Sequence, residues 1–312
     1  MRIFGELQDH PDANAAEAAR VRLNLSSVRS LLAVASPKGG TGKSALAVNI
    51  AATLASAGRK VGIVDGDLNA PSVLAMLGVK VPRYLPMAEG IEPASGPLGI
   101  RVVSGEFLPE VQPPAPISFA DSADVHAEPA CEPLEASHGA ALARMLAQTR
   151  FGNLDLLLVD LAPGLDRLHR LASFVMPTGV LLVTRPSADD ARGLARIFAM
   201  RKRLGLPTLG VVENMVGFSC NNCRSVRPLF PEGEVSRVTR EAGIEIVARL
   251  PFDPRFAESC ERGRPFVQEY PDAPLAKQIA EMARRVAAEI NARAVQAGDS
   301  IDLPDVAGET SR

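Results

Sequence analysis

Cysteine is scarce in these 312 residues: four, at positions 131, 220, 223 and 260, are too few to staple a disulfide scaffold. The first thirty residues mix acids, bases and polar groups with no apolar core, so a secretory signal is not expected. No stretch approaches the roughly 18 uninterrupted apolar residues that cross a bilayer, and no membrane partner is expected. Net charge is small as well, at −2. So nearly neutral a chain lacks the bulk positive charge by which proteins hold nucleic acid, and no nucleic-acid partner is expected. What remains is an ordinary globular composition, 46% hydrophobic and 22% charged, long enough for one large α/β domain or two medium ones. The expectation is a reduced, cytoplasmic protein.

Short apolar runs recur at 31–36, 61–65, 100–104, 154–160, 180–184, 209–214 and 244–250. Most are rich in Val, Leu and Ile without polar alternation, the pattern of parallel strands covered by helices on both faces. Helical spacing alternates with them at 44–57, 188–204, 235–242 and 274–290. The expected fold class is therefore α/β, a doubly wound, mainly parallel sheet. Residues 1–29 form a polar N-terminal arm, 30–296 the domain, and 297–312 a polar, flexible tail. From 102 to 143 there is no Lys or Arg, while acids and prolines accumulate; an insertion over about 105–137 is expected to be solvated. Arg192, Arg196, Arg201, Lys202 and Arg203 give a basic helix face, either solvated or a docking surface.

Between the first strand and the first helix stands Ser36-Pro37-Lys38-Gly39-Gly40-Thr41-Gly42-Lys43-Ser44. Glycines let a backbone turn tightly enough for its N–H groups to reach phosphate oxygens, and the helix that follows adds a partial positive charge. Gly39, Gly40, Thr41, Gly42, Lys43, Ser44 and Ala45 are the candidate cradle for ATP. Lys43 has the reach for the β- and γ-phosphates and Ser44 a hydroxyl for Mg²⁺. Pro37 stands where the strict phosphate-loop pattern has glycine.

Two carboxylates follow at strand ends, where open α/β sheets place ligands. Asp67, in Asp65-Gly66-Asp67, is the candidate to orient water. Asp160, followed by Ala162-Pro163-Gly164, is the candidate to hold Mg²⁺ through water, with the Gly164 N–H a γ-phosphate sensor. Cys220 and Cys223 offer two thiolates, half of a four-ligand metal set, which a symmetric dimer would complete. An iron–sulfur cluster, zinc, or a metal-free redox pair all remain open on spacing alone. Cys131 and Cys260 read as small buried hydrophobes.

The KGGxGK[ST] pattern at Lys38–Ser44 resembles the deviant Walker A group of ParA/MinD-like ATPases. That resemblance implies that Lys38 is catalytic and reaches the partner's phosphates in a nucleotide-sandwich homodimer, with slow basal hydrolysis as a consequence. Further stretches are similar to the Mrp/ApbC family of iron–sulfur carrier ATPases. They are Asp65-Gly66-Asp67-Leu68-Asn69-Ala70-Pro71-Ser72 with Met76-Leu77-Gly78, Leu154-Asp155 to Gly164, Val211-Val212-Glu213-Asn214-Met215, Leu250-Pro251-Phe252-Asp253-Pro254 and Cys220-Asn221-Asn222-Cys223. This second resemblance covers roughly 30–290. It implies that Asn214 recognises adenine and that Cys220 and Cys223 ligate a [4Fe-4S] cluster bridging two subunits. ATP turnover then gates cluster transfer to apo iron–sulfur client proteins. The family's PPGTGD is altered here to Ala162-Pro163-Gly164-Leu165-Asp166-Arg167, and its WRGP segment is missing. Two other readings stay open: a MinD/ParA-like spatial-organisation ATPase, and a regulatory ATPase whose CxxC holds zinc.

Overall fold

Fully apolar strands cannot face water, so they stack at the centre of a sheet roofed by helices. The structure, a computed structural model, describes residues 11–80, 90–107, 134–219, 225–230 and 233–296. Its central strands are β1 (Leu31–Ala35), β2 (Val61–Gly66), β5 (Leu156–Leu161) and β6 (Gly179–Thr184), and every residue of the four is buried. They are joined by β3 (Ala94–Ser95), β4 (Arg101–Ser104), β7 (Thr208–Ser219), β8 (Val226–Pro228) and β9 (Ile246–Phe252). Among the described residues the sheet runs β3-β4-β2-β5-β1-β6-β7-β8, with β9 also on β7. All pairings are parallel except β3 with β4 and β7 with β8. The doubly wound, mainly parallel expectation is met. The two short antiparallel strands carry too few residues for a periodicity to register.

Two groups of helices cover the sheet. One gathers α2 (Lys43–Ser56), α9 (Phe266–Glu269) and α10 (Pro274–Gln296); the other gathers α1 (Pro11–Leu25), α4 (Leu134–Gln148) and α5 (Leu165–Phe174). The remaining helices are α3 (Val73–Met76), α6 (Ala188–Leu204), α7 (Glu234–Glu241) and α8 (Pro254–Glu261). Helix α10 buries Leu275, Ile279, Met282, Val286 and Ile290, spaced by three or four residues as one face of a helix demands. Each such side chain contributes about 1.5–3 kcal/mol when fully buried. No described helix is long and apolar enough to cross a membrane.

Part of the polar arm folds back onto the domain. Val21 and Leu25 of α1 are fully buried, and the Asn24 side-chain amide donates to the Leu146 and Thr149 carbonyls at 2.7 and 2.5 Å. Of the acidic insertion, Gly105–Phe107 form one 3₁₀ turn and α4 begins at Leu134. Residues 108–133, the tail 297–312 and both CxxC cysteines lie outside the described residues. Strand β7 ends at Ser219 and β8 begins at Val226, and those two residues pair in the antiparallel ladder.

Candidate functional site at the phosphate loop

Because β1, β2 and β5 run parallel and side by side, their C-terminal ends deliver Ser36, Asp65 and Asp160 to one edge of the sheet. The loop from β1 to α2 turns through Gly40 (φ 72°) and Gly42 (φ 80°), left-handed conformations that cost a side-chain-bearing residue energy. Gly42 is also hemmed in: a Cβ there would lie 2.4 Å from the Asn214 side-chain amide nitrogen. That amide donates to the Thr41 carbonyl at 2.9 Å, tying β7 to the loop across 173 residues of chain. At the other end, the Ser36 hydroxyl donates to the Lys38 carbonyl at 2.9 Å.

Lys43 is buried, and its ammonium lies 2.5 Å from Asp160 Oδ1 while donating to Ser44 Oγ at 3.2 Å. Burial pushes the Asp160 carboxyl above its ordinary range, and the Lys43 ammonium is the main influence holding it down. Its second oxygen, Oδ2, is buried with no hydrogen-bond partner among the described residues. A buried carboxylate oxygen left unpaired is costly, and functional sites are where such costs are tolerated.

Beside Asp160, in register on β2, stands Asp65, whereas the sequence pattern singles out Asp67. Asp65 is fully buried, and its carboxyl is pushed up to about 7, first by burial and then by the neighbouring Asp160. Against this it accepts three backbone N–H groups, from Asp67 at 3.2 Å, Ser72 at 2.7 Å and Val73 at 2.9 Å. Asp65 is thus the anchor of the 67–73 loop, and Asp67, half-buried, rides on that loop. Asp65 lies at the C-terminal end of β2, where open α/β sheets gather ligand-binding groups, and that position is the signal that could have marked it in advance.

Gly164 (φ 111°) donates its N–H to the Ser36 carbonyl at 3.0 Å, so the turn after β5 is joined to the phosphate loop itself. Lys38 forms an ion pair with Asp189 in the first turn of α6.

A family model described as ParA, NUBPL iron-transfer P-loop NTPase matches residues 27–120 and 134–287. The chain belongs to this family. An iron–sulfur cluster carrier protein from Saccharolobus solfataricus is 33% identical over 269 residues, 86% of each chain. The bovine cytosolic Fe-S cluster assembly factor NUBP2 is 33% identical over 279 residues, 88% of this chain and 97% of its own. Among solved structures, a nucleotide-binding protein in complex with ADP from Archaeoglobus fulgidus superposes with a TM-score of 0.64 at 29% identity, covering 84% of this chain and 96% of that one. The cell-division ATPase MinD of Pyrococcus furiosus, with a TM-score of 0.56 and 22% identity over 82% of this chain and 98% of its own, shares the fold.

In this P-loop NTPase a cavity of about 360 Å³ opens beside the start of α2. Gly42, Ala45, Asn214, Met215, Phe252 and Phe256 are among its walls. Met215 has φ 60°, a left-handed conformation uncommon for a side-chain-bearing residue, and such strain gathers at ligand sites. Cys260 also lines the cavity, buried, with its thiol pushed up to about 11 chiefly by burial, in keeping with a small apolar wall residue. The structure thus brings Lys43, Ser44, Asp160, Asp67, Gly164 and Asn214 together around one loop. Lys38 is turned to α6, and Cys220 and Cys223 lie outside the described residues.

Proposed function

We propose that this chain is a slow ATPase that carries an iron–sulfur cluster, working as a homodimer in which Cys220 and Cys223 of each copy hold a bridging [4Fe-4S] cargo. The observation that carries the nucleotide half is the buried Lys43–Asp160 contact at the mouth of a glycine loop. Oxygen donors suit Mg²⁺, and the unpaired Asp160 Oδ2 and the Ser44 hydroxyl beside the lysine are such donors. When bound there, Mg²⁺ supplies charge neutralisation on the phosphate oxygens.

The chain's own residues then divide the work. The N–H groups of 39–45 and the positive end of α2 hold the phosphates. Lys43 exchanges Asp160 for the β- and γ-phosphates. Asp67 orients the attacking water, the Gly164 N–H exchanges the Ser36 carbonyl for a γ-phosphate oxygen, and Lys38 reaches the partner's phosphates. Asn214 reads the base at the edge of the apolar cavity, whose 360 Å³ falls within the range of small-molecule sites.

The cargo half rests on the names of the relatives, iron–sulfur cluster carrier and Fe-S cluster assembly factor, at 33% identity over most of the chain. The membrane-surface alternative requires a free amphipathic C-terminal helix; here the apolar stripe of α10 is buried. Anaerobic reconstitution with iron and sulfide tests the cargo reading. Broad visible absorption that Cys220→Ala and Cys223→Ala each abolish supports it. Zinc without iron or sulfide in protein purified without air would turn the reading to a zinc-holding regulatory ATPase.

A further inference from the structure

We propose that Asp189 is a positioning residue that holds Lys38 against its own chain and thereby sets how readily two copies close over nucleotide. The inference rests on the sandwich-dimer reading above for its consequence, and on the geometry of one chain for its cause.

Helix α6 meets the phosphate loop along a single stripe. Positions 189 and 193 are four apart and lie on one helix face. Gly193 faces Pro37, where a Cβ would come within 2.5 Å of the Pro37 Cβ, and Asp189 faces Lys38 as its ion-pair partner. Consecutive loop residues are thus read by consecutive turns of one helix. The contact at 193 admits only a glycine while Pro37 occupies the loop, so the close approach that permits the ion pair is built into both chains of residues.

The start of α6 is itself fixed. Ser187 caps the helix by accepting the Asp190 N–H at 3.1 Å, and the buried Asp190 carboxylate accepts from the Arg185 backbone and guanidinium at 3.0–3.2 Å. On the other side, the Ser36–Lys38 hydrogen bond holds the lysine backbone. Asp189 also pairs with Arg192, so its carboxylate separates two cations. Without it, Lys38 and Arg192 repel, which turns the lysine away from α6.

Lys38 and Asp189 keep 42% and 54% of their side-chain surface exposed. An ion pair that open is weak enough to be exchanged for a better anion, the phosphates of a facing copy. Closing a symmetric dimer breaks two such pairs. Over the range measured for exposed pairs, their loss corresponds to a roughly 2- to 30-fold change in the dimer dissociation constant.

Two measurements on the full chain test this. In nucleotide-free protein, labelling of the Lys38 amine by acetic anhydride, read by mass spectrometry, is expected to be severalfold faster in Asp189→Asn and to return towards the wild-type rate in Asp189→Glu. Equal rates in all three overturn the latch. With Mg²⁺ and a slowly hydrolysed ATP analogue, sedimentation is expected to show Asp189→Asn dimerising at a 2- to 30-fold lower protein concentration than wild type. The protein concentration at half-maximal ATPase activity should fall by the same factor. A wild type that dimerises while Asp189→Asn matches it within twofold sinks the latch and leaves the dimer intact. A wild type that binds nucleotide and stays monomeric sinks both.

Discussion

Lys43 has two roles that can be separated by experiment, because its ammonium is also paired with the buried Asp160 carboxylate. Lys43→Ala removes the cation that chiefly opposes burial at that carboxyl. The stranded acid then has a single escape, which is to take a proton. Holding a proton at pH 7 on a group whose unfolded pKa is about 3.9 costs about 4 kcal/mol, at roughly 1.4 kcal/mol per pH unit. That figure agrees with the 3–5 kcal/mol typical of breaking a buried pair by deleting one partner. The account therefore predicts that Lys43→Ala lowers stability by at most about 4 kcal/mol at pH 7 and at most about 1.5 kcal/mol at pH 5, less the part of that cost burial already imposes on Asp160 beside the lysine. Asp160→Asn added to Lys43→Ala restores most of the loss, since a neutral amide requires no counter-charge. Urea unfolding of nucleotide-free protein at both pH values reads the difference. A loss independent of pH, or a double variant no more stable than Lys43→Ala, refutes the reasoning.

Asp65 supplies a second pH signature. Its carboxyl is near 7 in the fold against 3.8 for the free group. Between about pH 4 and 7 the folded chain keeps a proton that the unfolded chain has released, so stability falls as pH rises across that window. Asp65→Asn should flatten that part of the stability profile, and an unchanged profile would contradict the assignment. Gly42→Ala forces a left-handed alanine, about 1–2 kcal/mol, and drives the Asn214 amide off the Thr41 carbonyl. Calorimetric titration should show weakened nucleotide binding together with a lower melting temperature; wild-type affinity would count against the loop as described. Lys38→Ala should leave nucleotide binding to the monomer intact and lose turnover, measured as phosphate release at protein concentrations above dimer formation; full turnover would remove Lys38 from the catalytic set.

The strands that carry the site were readable because burial on both faces demands unbroken Val, Leu and Ile, as in 31–35 and 156–161. The docking of α1 was not, since only a few apolar residues such as Val21 and Leu25 anchor it and its polar composition hides them. Helix α5 went unread although its exposed and buried residues separate cleanly, because Asp166, Arg167, His169 and Arg170 dominate its composition. Within the site, the loop residues 39–45 and Asp160 followed from local spacing. Asp65 did not, because its role comes from three amides folded back by the 67–73 loop and from a cross-strand neighbour 95 positions away. The Asn214–Thr41 and Asp189–Lys38 pairs are likewise products of the sheet order, which places β6 and β7 beyond β1. Local pattern names the groups; topology chooses their partners.

Fluorescent ATP titrated into the full chain with Mg²⁺ tests the central claim most directly. The account predicts saturable binding of about one nucleotide per chain, lost in Lys43→Ala and dependent on the divalent ion. Wild-type protein that takes up no nucleotide saturably, or a Lys43→Ala variant that binds as well as wild type, would contradict it.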